Sequence, residues 1–213
     1  MTDANRRRTG RPPLTDRATL LAAARRIGFV DLTVGTVTAD VGVKYSTFYR
    51  HFSSFEALLC ALVDQVLDET AFPEPGPDWR EHLARTSATM FDVLRRHPGL
   101  GQVLVRLPQR PDRLVRIWAG TTDVLLAAGF SAKDTVLGTT GAFELAIHPW
   151  IDSPGTGAGA PIRRDQAQDP RHPIDDRVRR AMADAVDDPP AAWIDDKVDL
   201  LVEGLAARLP ATC

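Results

Sequence analysis

Cysteine is scarce: of 213 residues only Cys60, inside an apolar helical pattern, and Cys213, the last residue, carry a thiol. Two such positions build neither a disulfide framework nor a metal-ligand spacing, and Cys60 reads as a small core residue. Long apolar runs are missing too. Even LLCALVDQVL is interrupted by Asp64 and Gln65, whereas a membrane helix needs about 20 predominantly apolar residues. The start, MTDANRRRTGRPP, is basic and no apolar run follows it, so no signal sequence is expected and a cytoplasmic location is. Strand-like alternation is sparse, and no internal repeat occurs. The histidines lie far apart and lack carboxylates at ligand spacing, so neither a metal nor a cofactor is expected. A Gly-rich phosphate loop, a G-x-S-x-G turn, an HExxH helix and a credible triad spacing are all lacking. That speaks against an enzyme, although catalytic groups can converge from distant positions.

The composition that remains, 44% hydrophobic and 25% charged, is that of an ordinary soluble globular chain. Its charge is unevenly placed. Residues 1 to 52 hold nine Lys or Arg against four Asp, a net of +5; the whole chain is −2, so residues 53 to 213 carry −7. A basic head on an acidic body points to a polyanion that meets the head alone.

Helical spacing dominates the chain. Thr15 is expected to cap a first helix ending near Ile27 and Gly28, and Thr33 a short one ending at Gly42. A third short helix is expected from about Tyr45 to His51. Ser53-x-x-Glu56 reads as a capping box for a fourth, with Leu58, Leu59, Leu62, Val66 and Leu67 at helical spacing. FPEPGP at 72 to 77 cannot continue a helix and divides a domain at 1–70 from one at 71–213. In the second, caps are expected at Asp78, Asp112 and Ser131, and a short helix at 100 to 106. Residues 152 to 173 read as a loop, and a last helix at 191 to 209 carries the apolar stripe Ile194, Val198, Leu201, Leu205. The fold class is all-α.

The stretch VGVKYSTFYRHF, residues 41 to 52, holds the most concentrated chemistry. Two short helices joined by a glycine turn, after a longer helix, describe a helix-turn-helix, whose second member enters the major groove. Phe48 and Phe52 are spaced to face the core, leaving Tyr45, Thr47, Tyr49, Arg50 and His51 as donors of the kind that hold phosphate oxygens and base edges. Tyr49 and His51 could instead close the core's edge. Lys44, a cation at a helix start, is disfavoured by the dipole unless a phosphate lies near. The arm RRRTGRPPLT, with Arg11, either lies in an A·T-rich minor groove or is a solubilising tail.

LTVGTVTADVGVKYSTFYRHFSSFEALL resembles the helix-turn-helix signature of the TetR (tetracycline repressor) family of bacterial regulators, with a threonine-capped second helix, a Gly-Val turn, and a recognition helix ending Phe-Tyr-x-His-Phe. The resemblance covers roughly residues 14 to 62. It implies an all-helical homodimer that binds a palindromic double-stranded DNA operator through its head, and whose C-terminal body dimerises and holds a small-molecule effector. By position it assigns phosphate contact to Tyr49 and His51, and base or backbone contact to Lys44, Tyr45, Ser46 and Thr47; Thr33, Arg50 and Arg11 complete the expected DNA-binding set. Phe55 stands where the family usually has a phosphate-binding lysine, Lys44 where Ser or Thr usually caps the third helix, and Val41 where alanine is common.

The body resembles the tetracycline-repressor branch more loosely, in HPGL, in AAGFSAKDTVLGTTGAFE and in the final amphipathic helix. This implies dimerisation through the helices near 132 to 148 and 191 to 209. It also implies a mostly apolar ligand among Met90, Leu94, His97, Trp118, Phe143 and Ile147, with His97 as a polar handle. Burial of the last helix's stripe within one chain is the alternative to dimerisation. A ligand-free architectural DNA binder and a helical enzyme are the competing functions.

Overall fold

The computed structural model describes residues 15–151, 165, 169, 171–187 and 190–209. Arg11 and most of the 152 to 173 stretch lie outside them. Every element described is helical. The head comprises α1 (Arg17–Ile27), α2 (Val34–Val41), the single turn α3 (Tyr45–Phe48) and the first half of α4 (Phe55–Asp68). The body holds α5 (Trp79–Arg96), α6 (Leu100–Arg106), α7 (Asp112–Ala127), α8 (Ala132–Ile147), a 3-10 turn (His148–Trp150), α9 (Asp176–Asp187) and α10 (Pro190–Ala206).

Local chemistry sets most boundaries. Thr33 and Thr36 cap α2 reciprocally, each side chain meeting the other's backbone N–H, which satisfies donors that a helix start leaves open. Asp78 accepts from Arg80 and Glu81 at the head of α5, and Ser131 from Asp134 at the head of α8. Asp16, not Thr15, caps α1 by accepting from the Thr19 N–H at 2.7 Å; Thr15 is buried. Ser54, not Ser53, caps α4, because it is the residue in extended conformation beside the Ala57 N–H. The third helix is shorter than expected, since Tyr49 to His51 continue it only as turns. Gly42 supplies the left-handed conformation, φ 72° and ψ 34°, that ends α2 and starts the helix-turn-helix turn.

Two apolar cores result, and α4 serves both. Leu58 and Leu62 join Leu20, Ala23, Val37, Phe48 and Phe52 in the head, while Val63, Val66 and Leu67 join Leu83, Met90, Leu94, Leu125 and Ala142 in the body. Phe48 and Phe52 stack at 5.7 Å with the Arg17 guanidinium 4.1 Å from the Phe52 ring centre. In the body, α5, α8 and α10 pack on one another. Ile194, Val198 and Leu205 are buried against the chain's own helices and Leu201 is half-buried, so most of this stripe is covered within one chain. Gly138 and Gly141 allow the approach: a Cβ at Gly138 would sit 2.7 Å from Leu205.

Candidate nucleic-acid interface and ligand cavity

The turn from Gly42 to Lys44 presents α3 on the outside of the head. Tyr45 and Tyr49, 58% and 53% exposed, are unusual as large rings left in solvent. Beside them Lys44, Ser46 and Arg50 are exposed and His51 is half-buried. Tyr45 leans across α2, and a Cβ on Gly35 would lie 2.7 Å from its hydroxyl, so that glycine makes room for the phenol. The Tyr49 ring stands edge-on to Phe48 at 5.2 Å while more than half of the residue stays exposed. Arg17 donates to the His51 carbonyl at 3.1 Å and fixes the end of the turn. Thr33, at the start of α2, is also exposed.

Thr47 departs from the expected set. It is buried, and its hydroxyl accepts from the Arg50 guanidinium at 3.3 Å, so it orients Arg50 rather than facing outward itself. Helical phase explains this: Thr47 precedes the core residue Phe48 and shares its inward side.

In the body a cavity of about 970 Å3 lies between α6, α7, α8, the 3-10 turn and α10. Leu104, Leu114, Trp118, Phe143 and Ile147 form its apolar wall; Val105 and Val115, each half exposed, stand where it opens to solvent. Three of the six expected ligand residues, Trp118, Phe143 and Ile147, are on the wall. Met90 and Leu94 are not: both are fully buried in the solid core of α5. His97 is absent from the wall as well. It closes the C-terminus of α5, lies edge-on to Phe29 of the head at 6.5 Å, and has its pKa lowered first by burial and then by Arg25 and Arg96. Gly99 beside it adopts φ 88°, and a Cβ there would meet the backbone of Phe29 and Val30 at 3.0 Å. The HPG turn is thus a seam between head and body. Sequence reading missed Arg110, Glu144, His148 and Lys197, all polar residues of the cavity lining; no local pattern marks them.

A second, more polar cleft of about 430 Å3 runs between α4 and the turn before α7, with Cys60, Asp64, Arg110 and Asp112 among its walls. Burial, then Asp64, Asp112 and Glu56, push the Cys60 thiol pKa up, so the thiol there is protonated and of low reactivity. At this cleft the two halves of the chain are fastened. Asp112, expected as a cap, is instead the first helical residue of α7, and Pro111 before it has no capping side chain. The cap comes from α4: Asp64 accepts the Arg113 backbone N–H at 2.7 Å. One turn further along α4, Asp68 pairs with Arg113 at 3.3 Å and Arg116 at 3.6 Å.

Together these features define a class: an all-helical protein with a helix-turn-helix head, and a cavity-bearing helical body joined through a shared helix. No family model matches the chain. It is 26% identical over 133 residues to the HTH-type transcriptional regulator EthR of Mycolicibacterium smegmatis, a match that takes in 57% of this chain and 61% of the relative. The chain thus spans less than two thirds of the length of that relative. Two solved structures from Streptomyces coelicolor superpose over most of their length. The TetR family protein ActR, solved in complex with (S)-DNPA, gives a TM-score of 0.71 at 16% identity over 91% of this chain and 98% of that one. A possible TetR family transcriptional regulator gives 0.71 at 21% identity over 90% and 99%. The fold is that of the TetR-family regulators.

Proposed function

We propose that the chain is a ligand-responsive transcriptional regulator, a cytoplasmic homodimer that represses by holding a palindromic operator and is released by a small, largely apolar molecule. The observation that carries this reading is the outward face of the recognition turn: Tyr45 and Ser46 on α3, the second helix of a helix-turn-helix, with Lys44, Tyr49 and Arg50 flanking it, all exposed. Aromatic hydroxyls and cations in that position suit phosphate oxygens and base edges in a major groove. The likeness to a named HTH-type regulator and to a family member solved with a small molecule supports it.

Dimerisation is supported by a stripe the monomer leaves uncovered. On α10, Trp193 and Leu200 are exposed, Leu200 by 71%, and on the neighbouring α8 so are Val136 and Leu137. These sit beside, not within, the buried Ile194 stripe, and a second copy of the same face covers them in a four-helix contact. Release would follow because α7 lines the cavity while Asp64 and Asp68 of α4 hold its first turn. A ligand that shifts α7 moves α4, and with it the recognition turn. It can do so only by binding one conformer more tightly than the other.

The test is operator affinity at fixed salt. Tyr49→Phe and His51→Ala are each expected to weaken binding by about 0.5 to 3 kcal/mol, the range that spans loss of a neutral and of a charge-assisted hydrogen bond, with unchanged far-ultraviolet circular dichroism. Wild-type affinity in both variants would remove these residues from the interface.

A further inference from the structure

Resting on the cavity reading above, we infer that the ligand is an apolar carboxylate, its anionic end read by Arg110 and Lys197. Both cations line the cavity, one from the turn before α7 and one from α10. Neither forms an ion pair with a described carboxylate, whereas Arg25, Arg26, Arg85, Arg95 and Arg113 all do. Glu144 is the single acid among the described lining residues, so leaving His148 aside the lining charge is two positive against one negative, a net of +1.

Their settings differ usefully. Arg110 donates one guanidinium N–H to the Leu104 carbonyl at the end of α6, which holds the group at the cavity while its other donors stay free. Guanidinium matches the two oxygens of a carboxylate in one plane. Lys197, a compact point charge, stands with its ammonium 5.3 Å from the Trp193 ring centre. An apolar wall and two cations without a carboxylate partner on one lining suit an amphipathic acid better than a neutral hydrocarbon. Arg110 also lines the cleft beneath α4, so an anion that draws it inward acts where head and body are fastened.

The experiment titrates the full chain with 1-pyrenebutyric acid, its methyl ester and 1-pyrenebutylamine, following pyrene fluorescence. The acid is expected to bind at least about tenfold tighter than ester and amine, the scale of one charge-assisted contact. Arg110→Gln and Lys197→Gln should erase that preference while the ester's affinity stays put, and Arg110→Lys should retain part of it. Because Lys197 is only half-buried, Lys197→Gln carries the test even if Arg110→Gln folds poorly. Equal affinity for acid and ester overturns this inference and leaves the apolar cavity standing. Preference for the amine overturns it in favour of Glu144. A preference for the acid that survives both glutamine variants removes these two residues from the assignment. Failure of all three probes to bind overturns the inference together with the cavity reading.

Discussion

Replacing Gly204 by arginine is expected to convert the proposed dimer to monomers and to cut operator affinity by orders of magnitude, without harming the monomer's fold. Gly204 lies on α10 one turn beyond Leu200, is exposed, and has nothing within 4 Å of where its Cβ would stand. Inside one chain the substitution is therefore tolerated. It should even favour the helix, since glycine in a helix interior is about 1 kcal/mol less favourable than alanine and arginine is close to alanine. In the proposed four-helix contact the same position faces the partner, and a desolvated guanidinium without a carboxylate there costs several kcal/mol. Each monomer then holds one half-site, and the gain from linking two binding events is lost. Sedimentation and thermal melting read the two effects separately. A variant that still sediments as a dimer at micromolar concentration places the interface elsewhere; a monomeric wild type removes it.

Asp64→Ala is expected to act on both halves of the molecule at once. The carboxylate lies on α4 and caps α7, so its loss opens a helix N-terminus that no local residue can close. About 0.5 to 2 kcal/mol of stability should go, the usual range for losing a cap, seen as a lower urea midpoint. Operator affinity should fall as well, although Asp64 is far along α4 from the recognition turn, because α4 is then free to settle at another angle. Asp64→Asn keeps an acceptor oxygen and should lose less on both measures. Unchanged midpoint and affinity in the alanine variant would show that the tie between α4 and α7 is carried by Asp68 and packing alone.

Signals that act within a few residues were legible in the sequence. Thr33, Asp78 and Ser131 cap their helices because a short polar side chain next to a free N–H decides the matter locally, and α6 spans the 100 to 106 expected of it. Thr15 and Ser53 show the limit: each has a capping neighbour, and only the backbone conformation at Asp16 and Ser54 distinguishes them. Nothing local could reveal the cap on α7, because its acceptor is 49 residues away. The cavity was half readable for a similar reason. Apolar spacing marks which face of a helix points inward, and so selects Met90 and Leu94 as readily as Trp118 and Phe143. Whether that face meets another side chain or empty space is a property of three helices together. The same holds for the Ile194 stripe, which is amphipathic whether α8 of its own chain or a partner covers it. Arg110 and Lys197 look like any surface cation until α6, α7 and α10 are assembled around them.

The proposed regulator stands or falls on its head reading a specific, two-fold-symmetric DNA sequence. The most direct measurement is selection of duplexes from a random library by the full chain, followed by affinity for the winners against salt. The expected result is enrichment of a palindrome whose half-sites lie about one helical turn apart or a multiple of it, with affinity falling steeply as salt rises. Recovery of sequences indistinguishable from the input library, with equal retention of unrelated duplexes, would contradict it.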